Sequence, residues 1–220
     1  MEFEIDGAIA GRVRIGLLTL EGVAVRASDA ALDAEVDRAC ASFRERYGEG
    51  RSSEVPGAGD ARTLYKALGI DPTKTRPSNE ALLRRALKGE TLYRINTLVD
   101  ALNLVSLREQ LPFGLYDLDR IRPPVVLRRG TPGEAYEGIR KGPVHVEGRP
   151  VLVDASGPFG NPTSDSLRTS ITLSTRDALV VAYAPASCAS ARLNGVLERT
   201  ADTVTRFCGG ARRECIVLGS

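Results

Sequence analysis

The sequence predicts an α+β fold, with mixed or antiparallel sheets and helices packed against them, and three observations carry that prediction. Apolar residues recur at helical spacing in the blocks around residues 30–47, 78–109 and 187–207. Short runs rich in valine, isoleucine and leucine stand at 13–26, 125–153 and 178–184, bounded by glycine and proline. The two kinds of segment do not alternate regularly: helical patterns dominate the chain to Asp117, and strand patterns follow, with one helix near the end.

With 220 residues, 42% of them hydrophobic, the chain can bury one good core. The division expected is an N-terminal α/β portion, 1–60, packed on a main domain, 61–220, as one compact unit. A net charge of +2 is too small for general nucleic-acid binding, so no DNA partner is expected. The distribution says more, because Arg76 to Arg129 holds ten Arg or Lys against six Asp or Glu, a basic middle suited to phosphate contact. Cys40, Cys188, Cys208 and Cys215 show neither CxxC spacing nor a histidine cluster, so reduced thiols and no metal or cofactor are expected. No apolar run approaches the roughly 20 residues of a membrane span, and the start lacks a signal-peptide pattern, so a cytoplasmic protein without membrane contact is expected.

Taken in order, residues 2–5 and 13–26 read as strands, the second as a sheet edge or a hairpin turning at Glu21-Gly22. Ser28 or Asp29 caps a helix whose stripe is Leu32, Val36, Ala39, Cys40, Phe43 and Tyr47. Arg51 to Gly59 reads as loop, and Asp60 as the cap of a short helix bearing Leu64, Tyr65 and Leu68. Pro77 and Ser78 mark the next helix start, and Gly89 its stop. Asn96 caps a helix to about Glu109 with Leu98, Val99, Leu102 and Val105 on its core side. On that helix Asn96, Asp100 and Asn103 fall within roughly 60° of one another, with Ser106 at the edge. The stripe reads either as an N-cap followed by a solvated face or as a donor and acceptor array lining a pocket. Strands are expected at Val125–Leu127, at Val144 and Val146, at Val151–Val153 and at Ala178–Ala184. Residues 156–166, rich in glycine and proline, read as a loop that does not pair regularly and offers backbone amides. Ser187 caps a last helix, stopped by Gly209-Gly210, and Cys215–Leu218 returns as a strand.

The strings RPSNEALLRRALKG, INTLVDALNLVSL and LPFGLYDLD resemble the B3/B4 domain, known as the editing domain of the phenylalanyl-tRNA synthetase beta chain and as stand-alone proteins. The resemblance covers roughly residues 60–210 and is closest to the stand-alone branch. It implies a central cleft that receives the aminoacyl end of a tRNA and hydrolyses the ester of a wrongly attached amino acid. Asn103 matches the pocket asparagine of the family's VD-x-x-N pattern, and Asp100 its acid. Gly114 stands where the synthetase forms carry a histidine, and no acid stands at Val181 or Tyr183, where they carry a pocket glutamate. Thr172 and Thr175 match threonines of a Ser/Thr-rich loop.

No GxSxG elbow, P-loop or GxGxxG is present, which removes the common serine-hydrolase and nucleotide-binding readings. His145, the one histidine, sits in a VHV run typical of a strand, so neither a serine triad nor a thiol dyad with Cys188 is supported. Ester hydrolysis without a protein nucleophile must rest on a positioned water and a stabilised oxyanion. The candidate catalytic residues are therefore Asn103, Asp100 and Thr172. Those expected to line the substrate are Asn96, Ser106, Gly114, Tyr116, Gly157 and Thr175, and Arg76, Arg84 and Arg85 are candidates for tRNA phosphate contact. The leading expectation is a deacylase acting in trans on mischarged tRNA, with an aminoacyl-tRNA synthetase as a further partner. Two alternatives stay open: an aminoacyl-ester acyl-transfer enzyme of a tailoring pathway, and a non-catalytic module binding tRNA or an amino acid.

Overall fold

The structure is a computed structural model that describes residues 1–48, 52–139 and 142–219. In chain order its elements are β1 (Phe3–Ile5), β2 (Val13–Glu21), α1 (Ala30–Tyr47), α2 (Ala58–Ala67), α3 (Ser78–Leu87), α4 (Thr97–Glu109) and β3 (Phe113–Asp117). Then come β4 (Val125–Arg129), β5 (Ala135–Gly138), β6 (Gly142–His145), β7 (Pro150–Asp154), β8 (Gly157–Gly160), β9 (Ala178–Pro185), α5 (Ser190–Cys208) and β10 (Ala211–Leu218).

The main sheet has the order β10-β2-β9-β3 and is antiparallel throughout. Its two faces feed two separate cores because side chains alternate along each strand. Leu18, Leu20, Leu115, Val180 and Ala182 meet the helices α1, α3, α4 and α5. Ile15, Leu17, Tyr116, Val181 and Tyr183 meet α2 and the second sheet, whose order is β1-β4-β7-β8. In that second sheet β1 runs parallel to β4 and the other pairs are antiparallel, so the architecture is α+β with a mixed and an antiparallel sheet. β5 and β6 form a hairpin beside it.

Several local expectations hold for the reasons that suggested them. Asp29 caps α1, accepting the N–H groups of Ala31 and Leu32 at 3.0 Å, and Gly89 takes φ 73° just past α3. Others are corrected. Residues 13–26 form no hairpin: β2 lies inside the main sheet between β10 and β9, which its nearly unbroken apolar run allows, and the chain leaves the sheet after Glu21. Asp60 is not a cap, because α2 already starts at Ala58 behind Gly57, and its carboxylate pairs with Arg192 at 2.5 Å. Pro77 takes the N-cap position of α3, leaving Ser78 as its first residue, and α5 starts at Ser190 without a side-chain cap from Ser187. Residues 156–166 do pair in part, since Gly157 at φ 111° lets β8 fold back on β7 through a register shift at Leu152 and Val153. Of the expected loop from Arg51 to Gly59, Arg51 lies outside the described residues, and the rest holds a 3-10 turn at Ser52–Glu54 and the start of α2.

Candidate functional site

The start of α4 is a doubly capped turn. The Oδ1 of Asn96 accepts the Val99 N–H at 3.0 Å, and the Oδ1 of Asp100, one turn on, accepts the Ile95 N–H at 3.0 Å. Asp100 is only 3% exposed, and that burial outweighs the Ile95 hydrogen bond and the nearby Arg94, pushing its carboxyl up to about 6. At the other end of the helix Ser106 donates to the Leu111 carbonyl at 2.8 Å. Three of the four polar side chains on the stripe thus serve the helix's own ends. Asn103, between them, is half-buried and makes no hydrogen bond among the described residues.

A second polar cluster closes the end of β3. The Oδ2 of Asp117 accepts the Thr175 hydroxyl at 2.8 Å, and its Oδ1 accepts the Asp119 N–H at 3.2 Å. Thr175 Oγ1 in turn accepts the Thr172 N–H at 3.0 Å, and the Thr172 and Ser174 hydroxyls are 2.8 Å apart. Thr172 and Thr175 are therefore brought together in one turn hung from Asp117. The loop also runs along the free edge of β3, where Asp117 N–H donates to the Thr169 carbonyl at 2.8 Å. No hydrogen bond joins this cluster to the α4 stripe among the described residues.

Alternation along β3 turns Gly114 and Tyr116 away from α4, toward the second sheet. Tyr116 is fully buried, edge-on to Phe159 with ring centroids 5.0 Å apart. Its ring folds over Gly114 on one side and Gly160 on the other, so closely that a Cβ at either glycine would stand 2.2 Å from its hydroxyl. Gly157 sits apart from these residues at the β7–β8 turn, where its carbonyl accepts from Arg168 at 3.3 Å.

Residues 60–211, more than half of the chain, match the B3/4 domain. The chain belongs to the B3/4 domain family. Among solved structures it is similar to an N-terminal fragment of the phenylalanyl-tRNA synthetase beta subunit from Pyrococcus horikoshii, at 14% identity and a TM-score of 0.49. That alignment takes in 100% of this chain and 54% of the fragment, so the chain spans about half of the fragment's length. No curated protein matches it.

Within this B3/4 domain the three arginine candidates differ in freedom. Arg76 lies 3.9 Å from Glu80, a carboxylate that Arg62 already holds through hydrogen bonds of 2.8 and 2.7 Å. Arg85 donates to the Thr91 carbonyl and the Tyr93 hydroxyl, pairs with Glu90 at 3.0 Å and stacks over the Tyr93 ring at 4.2 Å. Arg84 is exposed and has no partner among the described residues. A groove of about 610 Å³ between α1 and α3 is lined by Cys40, Arg44, Gly89 and Thr91, and none of the candidate residues reaches it.

Two acids of the B3/4 domain escape a reading of the sequence. Asp117 anchors the threonine turn, and the signal available was an acid directly ending the apolar string LPFGLY. Asp165 sits beside β3, its Oδ2 3.3 Å from the Leu115 N–H, and nothing in its Ser/Thr-rich surroundings marks it out. The four cysteines are free thiols, and His145 is exposed at the end of β6.

Proposed function

We propose that this B3/4 domain is an aminoacyl-tRNA deacylase that acts in trans, in the cytoplasm, on the 3′ end of a mischarged tRNA. The observation that carries the reading is the free side chain of Asn103. It occupies the asparagine position of VD-x-x-N and alone on its stripe keeps its amide available, while Asn96, Asp100 and Ser106 hold the helix ends. An amide can donate to the ester carbonyl, accept from an attacking water, or do both at once.

Hydrolysis then needs little further equipment. Water adds to the ester carbonyl, the bond to the ribose oxygen breaks, and the products are a free amino acid and an uncharged tRNA. Asn103 positions the water or the carbonyl, Thr172 supplies a hydroxyl from the turn held by Asp117, and a neighbouring ribose hydroxyl of the substrate can assist. Asp100 acts through the backbone by fixing the start of α4, and the basic stretch from Arg76, with Arg84 the least engaged, meets phosphates.

One observation favours a binding module without turnover. Gly114 faces Val181 in the β3–β9 ladder, neither the histidine of the synthetase forms at Gly114 nor their acid at Val181 or Tyr183 is present, and the Tyr116 ring fills the space over Gly114. Deacylation of a panel of mischarged tRNAs, tyrosine on the phenylalanine tRNA included, separates the two readings when wild type and Asn103→Ala are run together. Turnover of one pair, lost in Asn103→Ala, supports the deacylase and names its substrate. Tight tRNA binding with no turnover of any pair sinks it and leaves the binding module.

A further inference from the structure

Three of the six tyrosines in the chain surround one acid, and a fourth stands behind them. Tyr116 of β3 and Tyr183 of β9 are fully buried, and among the described residues their hydroxyls make no hydrogen bond of regular geometry, only close contacts with Asp165 and each other. The Oδ1 of Asp165 is equally buried and unpartnered, and both phenols lie close enough to sense its charge. Tyr136 of β5 is the third phenol around it, donating to the Ser164 carbonyl at 2.5 Å, and Tyr65 of α2 stands next to Tyr183, donating to the Pro162 carbonyl at 2.9 Å. No cation pairs with Asp165 among the described residues, and burial pushes its carboxyl up to about 7. Each phenol brings its own proton, so the contact with Tyr116 and the Leu115 N–H pull toward the ionised acid, and burial with no cation at hand outweighs both and keeps the acid neutral.

The same carboxyl holds a loop in place. Its Oδ2 takes the Leu115 N–H on the free edge of β3, the Asp165 carbonyl accepts the Ile139 N–H at 3.4 Å, and four residues on Thr169 takes the Asp117 N–H. Beyond Thr169 the loop carries Thr172 and Thr175. We propose that Asp165 is a positioning residue: while its carboxyl carries a proton it fastens residues 161–176 to the edge of β3, and ionisation loosens that loop. The proton passes to solvent on opening, because a bare carboxylate among phenols is better hydrated than buried. In the closed form the acid donates to one phenol and still accepts from Leu115.

Amide exchange tests the latch without any substrate, so its outcome is independent of the deacylase reading; only an effect on turnover rests on that reading. In the wild type, protection of the Leu115 and Asp117 amides, corrected for base catalysis, falls about ten-fold or more from about pH 5.5 to about pH 8.5. Asp165→Asn mimics the protonated acid and removes the fall, holding both amides protected across the range. If that variant misfolds, the carboxyl-carbon chemical shift of Asp165 in the wild type must still titrate together with the Leu115 amide. Protection that stays flat with pH in the wild type overturns the proposal, as does the same fall in Asp165→Asn. If the protein deacylates, Asp165→Asn flattens the alkaline limb of kcat, and Asp165→Ala lowers kcat across the whole range.

Discussion

Asp117 and Thr175, 58 positions apart in the chain, are joined by a buried 2.8 Å hydrogen bond from the threonine hydroxyl to the carboxylate. It ties the end of β3 to the turn that presents Thr172. Replacing Thr175 by valine keeps the shape and leaves the carboxylate short of a donor, so a loss of about 1–3 kcal/mol is expected. Urea unfolding of Thr175→Val beside Thr175→Ser measures it. The serine variant should stay within about 0.5 kcal/mol of wild type. Equal losses in both would show that the methyl group, not the hydroxyl, holds the turn.

Asn103 is expected to matter for chemistry and not for folding. With no side-chain partner to lose among the described residues, Asn103→Ala should change stability by no more than about 0.5 kcal/mol. On a mischarged tRNA that the wild type hydrolyses, kcat should fall about 10²-fold, the effect of losing one donor to a developing oxyanion. A large stability loss would instead assign the amide to the fold.

Asp100 gives a pH-dependent prediction whose sign follows from burial. Its carboxyl is raised from 3.8 to about 6, so the unfolded chain ionises first as the pH rises. Its favourable contribution is complete below the unfolded value and is lost as the pH climbs through the folded one. Asp100→Asn keeps an acceptor for the Ile95 N–H and removes the buried charge. It should therefore be more stable than wild type by roughly 1–3 kcal/mol at about pH 8 and nearly equal at about pH 4. Chemical denaturation at the two pH values decides it, and a variant less stable at both would mean that the charge itself holds the turn.

Gly114 and Tyr116 form a steric pair. A methyl group at Gly114 would meet the Tyr116 hydroxyl at 2.2 Å, and the ring is packed as closely over Gly160, where an added Cβ would also stand 2.2 Å from that hydroxyl. Gly114→Ala should cost about 1–3 kcal/mol by overpacking. In a Tyr116→Leu background the same substitution should cost clearly less, because the clashing atoms are gone. A double-mutant cycle measured by thermal unfolding reads the coupling; full additivity would place the strain elsewhere.

The helices were legible because their signals are local. Asn96 and Asp29 cap where a side chain can reach a bare N–H, and Gly89 stops α3 where a left-handed residue is required. Sheet order was not legible, since what places β2 beside β9 and β10 is pairing with residues 178–185 and 211–218, which no window around 13–21 contains. Asn103 stood out through its spacing and the family string, and in the structure it lies half-buried on α4. Periodicity alone made Asn96 and Asp100 its equals; only the hydrogen bonds to Val99 and Ile95 separate capping from availability. Asp165 and the phenols around it come from a loop, two strands and a hairpin, an arrangement that only the folded chain assembles.

The place of β2 also governs how the protein can be made. The family match begins at residue 60, yet the strand between β9 and β10 comes from residues 13–21. A fragment cut to residues 60–211 would expose the full-length flank of β9 and lose most of β10, a recipe for aggregation through unpaired strand edges. During synthesis β2 emerges well before β9 and must wait for about 160 more residues before that strand can pair with it. Assembly of the main sheet is therefore a late, slow event, and a nascent chain holds the largely apolar β2 unpaired until residues 178–185 have left the ribosome.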